Sequence, residues 1–155
     1  SEACKKLNYD LNCIAIPKTV DNDLAVTDCS PGFGSVAKYV INSTIEAALD
    51  VESMAASSTK VFILEVMGRH AGWIAASSAV AIESYPHAPD LILLPEITFK
   101  ERDFLRKVKA TVASKGFCVV VASEGIKNNK GRFIAESGLK DAFVHSQLGG
   151  VAPTC

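Results

Sequence analysis

This 155-residue sequence has no run of the roughly 20 apolar residues that a membrane span requires. Its longest apolar stretch, Trp73 to Ile82, is broken by two serines. An excess of one charge is also missing, since sixteen Lys and Arg against seventeen Asp and Glu leave a net charge of −1. That balance argues against a broad basic face for a nucleic-acid backbone, so neither nucleic acid nor membrane is an expected partner. The opening Ser-Glu-Ala-Cys-Lys-Lys is not followed by an apolar segment, and no signal peptide is expected. Paired cysteines are lacking as well. Cys4, Cys13, Cys29, Cys118 and Cys155 are odd in number and include no Cys-x-x-Cys, and His70, His87 and His145 complete no metal-finger pattern. Five free thiols in a reducing compartment, the cytoplasm by default, are the expectation. There is no internal repeat and no low-complexity linker. What is present, 48% hydrophobic and 21% charged residues, suffices for a sizeable core in one domain or a large fragment of a bigger protein.

Four apolar runs read as strands: Leu11–Ile16, Val61–Val66, Leu91–Leu94 and Phe117–Ala122. They are apolar throughout, without in-out alternation, which predicts a sheet covered on both faces. Helical patterns separate them. Ser30-Pro31 is a natural helix start, followed by an apolar face of Phe33, Val36, Ala37, Val40, Ile41, Ile45, Ala48 and Leu49. An Ala-rich helix is predicted over 70–83. Thr98 with Glu101 reads as a capping box for a helix carrying Leu105, Val108 and Val112 inward, with Gly116 as its stop. A further helix before Asn8 fits the pattern. The fold class is α/β, a mostly parallel sheet with helices on both faces. The chain reads as incomplete at both ends, which leaves its first strand an uncovered edge.

In open α/β sheets, ligands bind beyond the carboxyl ends of the strands. Each predicted strand ends in a polar or special-backbone segment: Pro17-Lys18-Thr19-Val20-Asp21-Asn22-Asp23, Met67-Gly68-Arg69-His70, Pro95-Glu96 and Ser123-Glu124-Gly125. Taken singly, each has an ordinary reading. Asp21 and Asp23 suit a turn or a helix cap as well as a substrate-facing carboxylate with a supporting one. Arg69 is either a surface charge or, against the helix dipole, a phosphate ligand. His70 reads as a cap or a packed imidazole rather than a catalyst. Glu124 suits a sugar-hydroxyl acceptor or a charged loop edge. The meeting of all four segments at one edge is more informative than any one of them.

Pro-Lys-Thr-Val-Asp-Asn-Asp at 17–23, Glu-Val-Met-Gly-Arg-His-Ala-Gly-Trp at 65–73, Leu-Pro-Glu-Ile at 94–97, Ala-Ser-Glu-Gly at 122–125 and His-Ser-Gln-Leu-Gly-Gly at 145–150 resemble the phosphofructokinase family over nearly the whole chain. Lys18 resembles its pyrophosphate-dependent branch, because the ATP-dependent branch typically carries glycine there. The resemblance implies phosphoryl transfer from pyrophosphate to the 1-hydroxyl of fructose 6-phosphate, with Mg²⁺, by a homo-oligomer of two or four chains. It implies Asp21 as general base, Asp23 as its supporting carboxylate and Lys18 beside the phosphates. Thr19, Met67, Gly68, Arg69, Glu124 and His145 become substrate contacts, and Lys60 a cation reaching a neighbouring subunit's site. It further implies a strip of the phosphate-donor domain at 1–23, the sugar-phosphate domain at 24–146 and a return segment at 147–155.

Three departures from the family pattern stand out. The opening strand with its Gly-rich donor loop and the Gly-Gly-Asp-Asp segment for diphosphate and magnesium are absent, so no metal ligand is expected within this chain. Leu148 stands where many members carry an arginine, and Val144 and Ser146 flank His145 where small or aliphatic residues are usual. Three other readings follow: an ATP-dependent phosphofructokinase, a non-catalytic sugar-phosphate-binding or regulatory relative, and an unrelated α/β domain with the Asp21 and Arg69 loops far apart.

Overall fold

The computed structural model describes residues 2–140 and 146–155. The core is a three-stranded parallel sheet in the order β1 (Val61–Val66), β3 (Cys118–Ser123), β2 (Leu91–Leu93). Val61 aligns with Cys118 and Val66 with Ser123, while Leu91 aligns with Val120. The central strand β3 is buried at every position.

The two-residue period of strands sorts the side chains between two faces. On one face Leu64, Val66, Ile92 and Val121 pack against Val36 and Val40 of α2 (Phe33–Met54) and Ile74 and Ala75 of α3 (Trp73–Ser77). On the other, Ile63, Leu91, Leu93, Cys118 and Val120 pack against Phe104, Val108 and Val112 of α4 (Glu101–Lys115). Helices on both faces of a parallel sheet are the architecture that the continuous apolar runs required. Burial pushes the Cys118 thiol up to about 11, with the Asp90 carboxylate adding to the shift, so this cysteine is a core residue rather than a nucleophile. None of the five cysteines forms a disulfide among the described residues. The short helix α1 (Glu2–Lys6) precedes Asn8, and β4 (Glu136–Lys140) pairs antiparallel with β5 (Ser146–Leu148). Neither of those two strands was predicted. None of the described helices is long and apolar enough to cross a membrane.

Several boundaries depart from the expectation, each for a local reason. Residues 11–16 form no strand: Leu11, Ile14 and Ile16 are 51%, 91% and 81% exposed. Strand propensity realises itself only beside a partner, and the described sheet offers that segment none. Helix α2 begins at Phe33 rather than Pro31, and the Ser30 hydroxyl does not cap it, being buried without a hydrogen-bond partner among the described residues. Its buried stripe is Val40, Thr44, Ala48 and Val51, with Leu49 half out in solvent. The helix predicted over 70–83 is the α-helix α3 followed by a 3₁₀ helix at Ser78–Glu83. There the Ser77 and Ser78 hydroxyls donate back to the Ile74 and Ala75 carbonyls, competing with the helical ladder. Helix α4 starts after Lys100 without the Thr98 cap, and the Phe99 amide just before it donates to the Lys127 carbonyl. Phe104, not Leu105, is its first buried residue, and Gly116 ends it as expected.

Candidate active site

Parallel strands bring their carboxyl ends to one edge, and the segments after β1, β2 and β3 all leave from it. The Met67–His70 segment follows β1, with Met67 exposed, Gly68 buried and Arg69 half-buried. Next to it, Glu124 follows β3 and extends the ladder, its amide donating to the Val66 carbonyl at 2.8 Å. The Ser123 hydroxyl donates to the Gly68 carbonyl at 2.6 Å and accepts the Gly125 amide at 3.1 Å. From the end of β2, Glu96 reaches across to accept the Gly72 amide at 2.8 Å, anchoring the start of α3.

The Asp21 loop is seated on this edge by Val20, which packs into the cluster of Val40, Val66, Ile74 and Val121. Asn22 closes the loop. It sits at φ 56°, a left-handed conformation that asparagine tolerates better than most residues. Its side chain accepts the Ser30 amide at 2.8 Å and donates to the Asp28 carbonyl at 3.2 Å. The Thr19 hydroxyl accepts the Asp21 amide at 3.3 Å, so the backbone is held on both sides of the carboxylate.

Asp21 has an unusual environment. One carboxylate oxygen, Oδ1, is buried without a hydrogen-bond partner among the described residues. Burial raises its proton affinity above the ordinary aspartate value, and the neighbouring Asp23 charge raises it further. His70 and Arg69 pull in the opposite direction. The carboxylate pair, the guanidinium and the imidazole thus form one electrostatic group at the end of the sheet. The Asp21 and Arg69 loops interact, contrary to the arrangement expected of an unrelated domain. His70, itself exposed, lies at a tilt against Phe133, 5.9 Å between ring centroids.

The other predicted residues divide between this edge and elsewhere. Lys18 is exposed beside the half-buried Thr19. Lys60 precedes β1 and lies at the opposite end of the sheet from Arg69. His145 lies outside the described residues. Among the described residues no group of three His, Cys, Asp or Glu side chains is placed to hold a metal, and Arg69 forms no ion pair with a carboxylate. Sequence reasoning noted the segments but gave no individual role to four residues that hold the loops: Asn22, Glu65, Glu96 and Ser123. Glu65, on β1, accepts the amides of Val151 and Ala152 at 2.7 and 3.0 Å. A separate cavity of about 580 Å³ between β2 and α4 includes none of the predicted site residues in its lining.

A profile of the phosphofructokinase family matches residues 1–151. The chain belongs to the phosphofructokinase family. Among its relatives is the pyrophosphate–fructose 6-phosphate 1-phosphotransferase of Halomonas elongata, 56% identical over 154 residues, 99% of this chain and 37% of that protein. The enzyme of that name from Methylococcus capsulatus is 57% identical over 153 residues, 99% of this chain and 36% of that protein. The crystal structure of the pyrophosphate-dependent phosphofructokinase from Nitrosospira multiformis superposes with a TM-score of 0.77 at 50% identity, covering 99% of this chain and 35% of that one. The chain therefore spans little more than a third of the length of these phosphofructokinases.

Proposed function

We propose that the protein to which this sequence belongs transfers a phosphoryl group from pyrophosphate to the 1-hydroxyl of fructose 6-phosphate, in the cytoplasm and as a homo-oligomer. The observation that carries this reading is the half-buried Asp21 carboxylate, of raised proton affinity, grouped with Arg69 at the end of a parallel sheet. The names borne by relatives that are 56–57% identical supply the donor and the acceptor.

In this reading the sugar's 1-hydroxyl oxygen attacks the terminal phosphorus of pyrophosphate and the bridging P–O bond breaks. The products are fructose 1,6-bisphosphate and phosphate. The hydroxyl proton passes to Asp21, whose raised affinity suits a group that takes a proton late in the transfer. Asp23 keeps that affinity high. Lys18 neutralises charge on the transferred group, and Thr19 holds the Asp21 amide or bonds the same group. Arg69 offers a bidentate fork for phosphate oxygens. Met67 and Gly68 shape the acceptor pocket, Glu124 accepts sugar hydroxyls, His145 contacts the sugar phosphate, and Lys60 serves a neighbouring subunit. Mg²⁺, if bound with the diphosphate, would be held by carboxylates mainly outside this chain and would supply neutralisation of charge on the phosphates. Residues 1–23 belong to the donor side of the cleft, 24–146 to the sugar-phosphate domain and 147–155 to the return segment.

The test is an assay of the full-length protein with fructose 6-phosphate and Mg²⁺, supplied with pyrophosphate or with ATP. Pyrophosphate-dependent formation of the bisphosphate at roughly 1–10³ s⁻¹ is expected. Turnover with ATP alone would overturn the donor assignment, and none with either would overturn the reaction.

A further inference from the structure

Two loops that carry different contacts, Met67–Arg69 after β1 and Glu124–Gly125 after β3, are joined at their bases by one side chain. Ser123 is fully buried at the last position of β3, opposite Val66. Its hydroxyl donates across the gap to the Gly68 carbonyl at 2.6 Å and accepts the amide of Gly125, two residues on in its own loop, at 3.1 Å, so one hydroxyl holds both loops. The backbones beyond it are in close contact. A Cβ on Gly125 would lie 2.0 Å from the Arg69 carbonyl oxygen and 2.7 Å from its Cα, a separation that only glycine permits. Gly68 has φ 116°, and a Cβ there would lie 2.5 Å from the Ala71 carbonyl oxygen. Nothing else about Ser123 requires a hydroxyl. The rest of β3 is Val, Ala and Cys, and an apolar residue would fill the same space.

We infer that Ser123 is a positioning residue that fixes the Arg69 guanidinium relative to the Glu124 carboxylate, so that the phosphate and hydroxyl ends of one sugar phosphate are gripped at a set separation. The inference rests on the proposed function for the identity of that ligand. Ser123 touches neither substrate. Its effect is transmitted through the Gly68 carbonyl and the Gly125 amide. Misplacing two such contacts affects the acceptor sugar and leaves the pyrophosphate side alone.

The experiment is Ser123→Ala in the full-length protein, with Ser123→Thr as the variant that keeps the hydroxyl. Ser123→Ala should raise KM for fructose 6-phosphate by roughly tenfold or more, as small misplacements do, with KM for pyrophosphate within about twofold. Ser123→Thr should recover most of the loss. In an Arg69→Met, Glu124→Gln background the same Ser123→Ala change should have little further effect, because its route to the substrate is gone. Equal rises in both KM values, or an undiminished effect in that background, would overturn the positioning role and leave Ser123 as core packing. Absence of turnover in the unaltered protein would instead overturn the functional reading. Hydrogen exchange then reads the hydroxyl's hold on its own loop: the Gly125 amide should be protected in the unaltered protein and fast in Ser123→Ala, and unchanged exchange would overturn that part of the positioning role.

Discussion

Residues 11–16 and 118–123 are both short apolar runs of strand-forming type, yet they end in opposite environments. The second is β3, buried at every position between two strands and under helices on both faces. The first has Ile14 at 91% and Ile16 at 81% exposed and no ladder. Composition cannot distinguish them, because a strand is a relation between segments. The division falls close to the site. Lys18 is on the exposed side, and Val20, two residues on, is packed into the core cluster that seats Asp21.

The largest effect that would sharpen this contrast is expected at Asp21. Asp21→Asn in the full-length protein should lower turnover by roughly 10²–10⁴ while leaving fructose 6-phosphate binding largely intact, as measured by steady-state kinetics and calorimetry. A variant that keeps most of its activity would move the proton acceptor elsewhere, with Asp23 the first candidate. On the exposed side, Lys18→Gly should also cost about an order of magnitude or more in pyrophosphate-dependent turnover. A loss below about threefold would mean that Lys18 does not act on the donor.

Stability gives the next contrast. Ile74, fully buried in α3, should cost about 2–5 kcal/mol when changed to Ala, whereas Ile14→Ala in the same 155-residue chain should stay within about 0.5 kcal/mol. Denaturant melts of both variants measure this. A large loss at Ile14 would place a covered strand where the structure shows an exposed segment. Repeating Ile14→Ala in the full-length protein sharpens the contrast, since a donor-side partner for residues 1–23 should raise its cost.

The smallest effect concerns pH. The charged form of Asp21 is disfavoured by burial and by Asp23, so its carboxylate is available as a base only above the ordinary aspartate range, and kcat/KM should fall as pH drops through that raised value. Asp23→Asn removes a repelling charge and should move this acidic limb to lower pH. Arg69→Met removes an attracting one and should move it higher. Shifts in the opposite sense, read from pH profiles, would break the electrostatic group apart.

Much of the body was legible because burial on both faces writes itself as uninterrupted apolar runs. β1 falls at the predicted residues and β3 within one residue of them. Glycine at 116 and the convergence of polar segments at one edge were likewise visible, since both follow from backbone geometry that sequence encodes locally. The residues that hold the site were not. Ser123, Glu65 and Glu96 act on amides or carbonyls 55, 86 and 24 residues away, pairings with no local signature. Asn22 did offer a signal, as an asparagine between two aspartates, but attention to the flanking charges passed over it. Local rules also misplaced three helix starts, beside which lie the Asn22–Ser30, Glu96–Gly72 and Phe99–Lys127 hydrogen bonds, pairings that no local pattern encodes.

The strand order has a consequence for how the molecule is made. β1 and β2 are separated in the sheet by β3, and each is hydrogen-bonded within it to β3 alone. On the ribosome the first two emerge as strands with no ladder between them, while α2 can pack locally against α3 and the 3₁₀ helix that follows it. Only when residues 118–123 appear can both rows of backbone groups pair, each across a long loop whose closure must precede the reward. Assembly of the sheet, and with it the edge that carries Arg69 and Glu124, therefore waits on the emergence of residues 118–123.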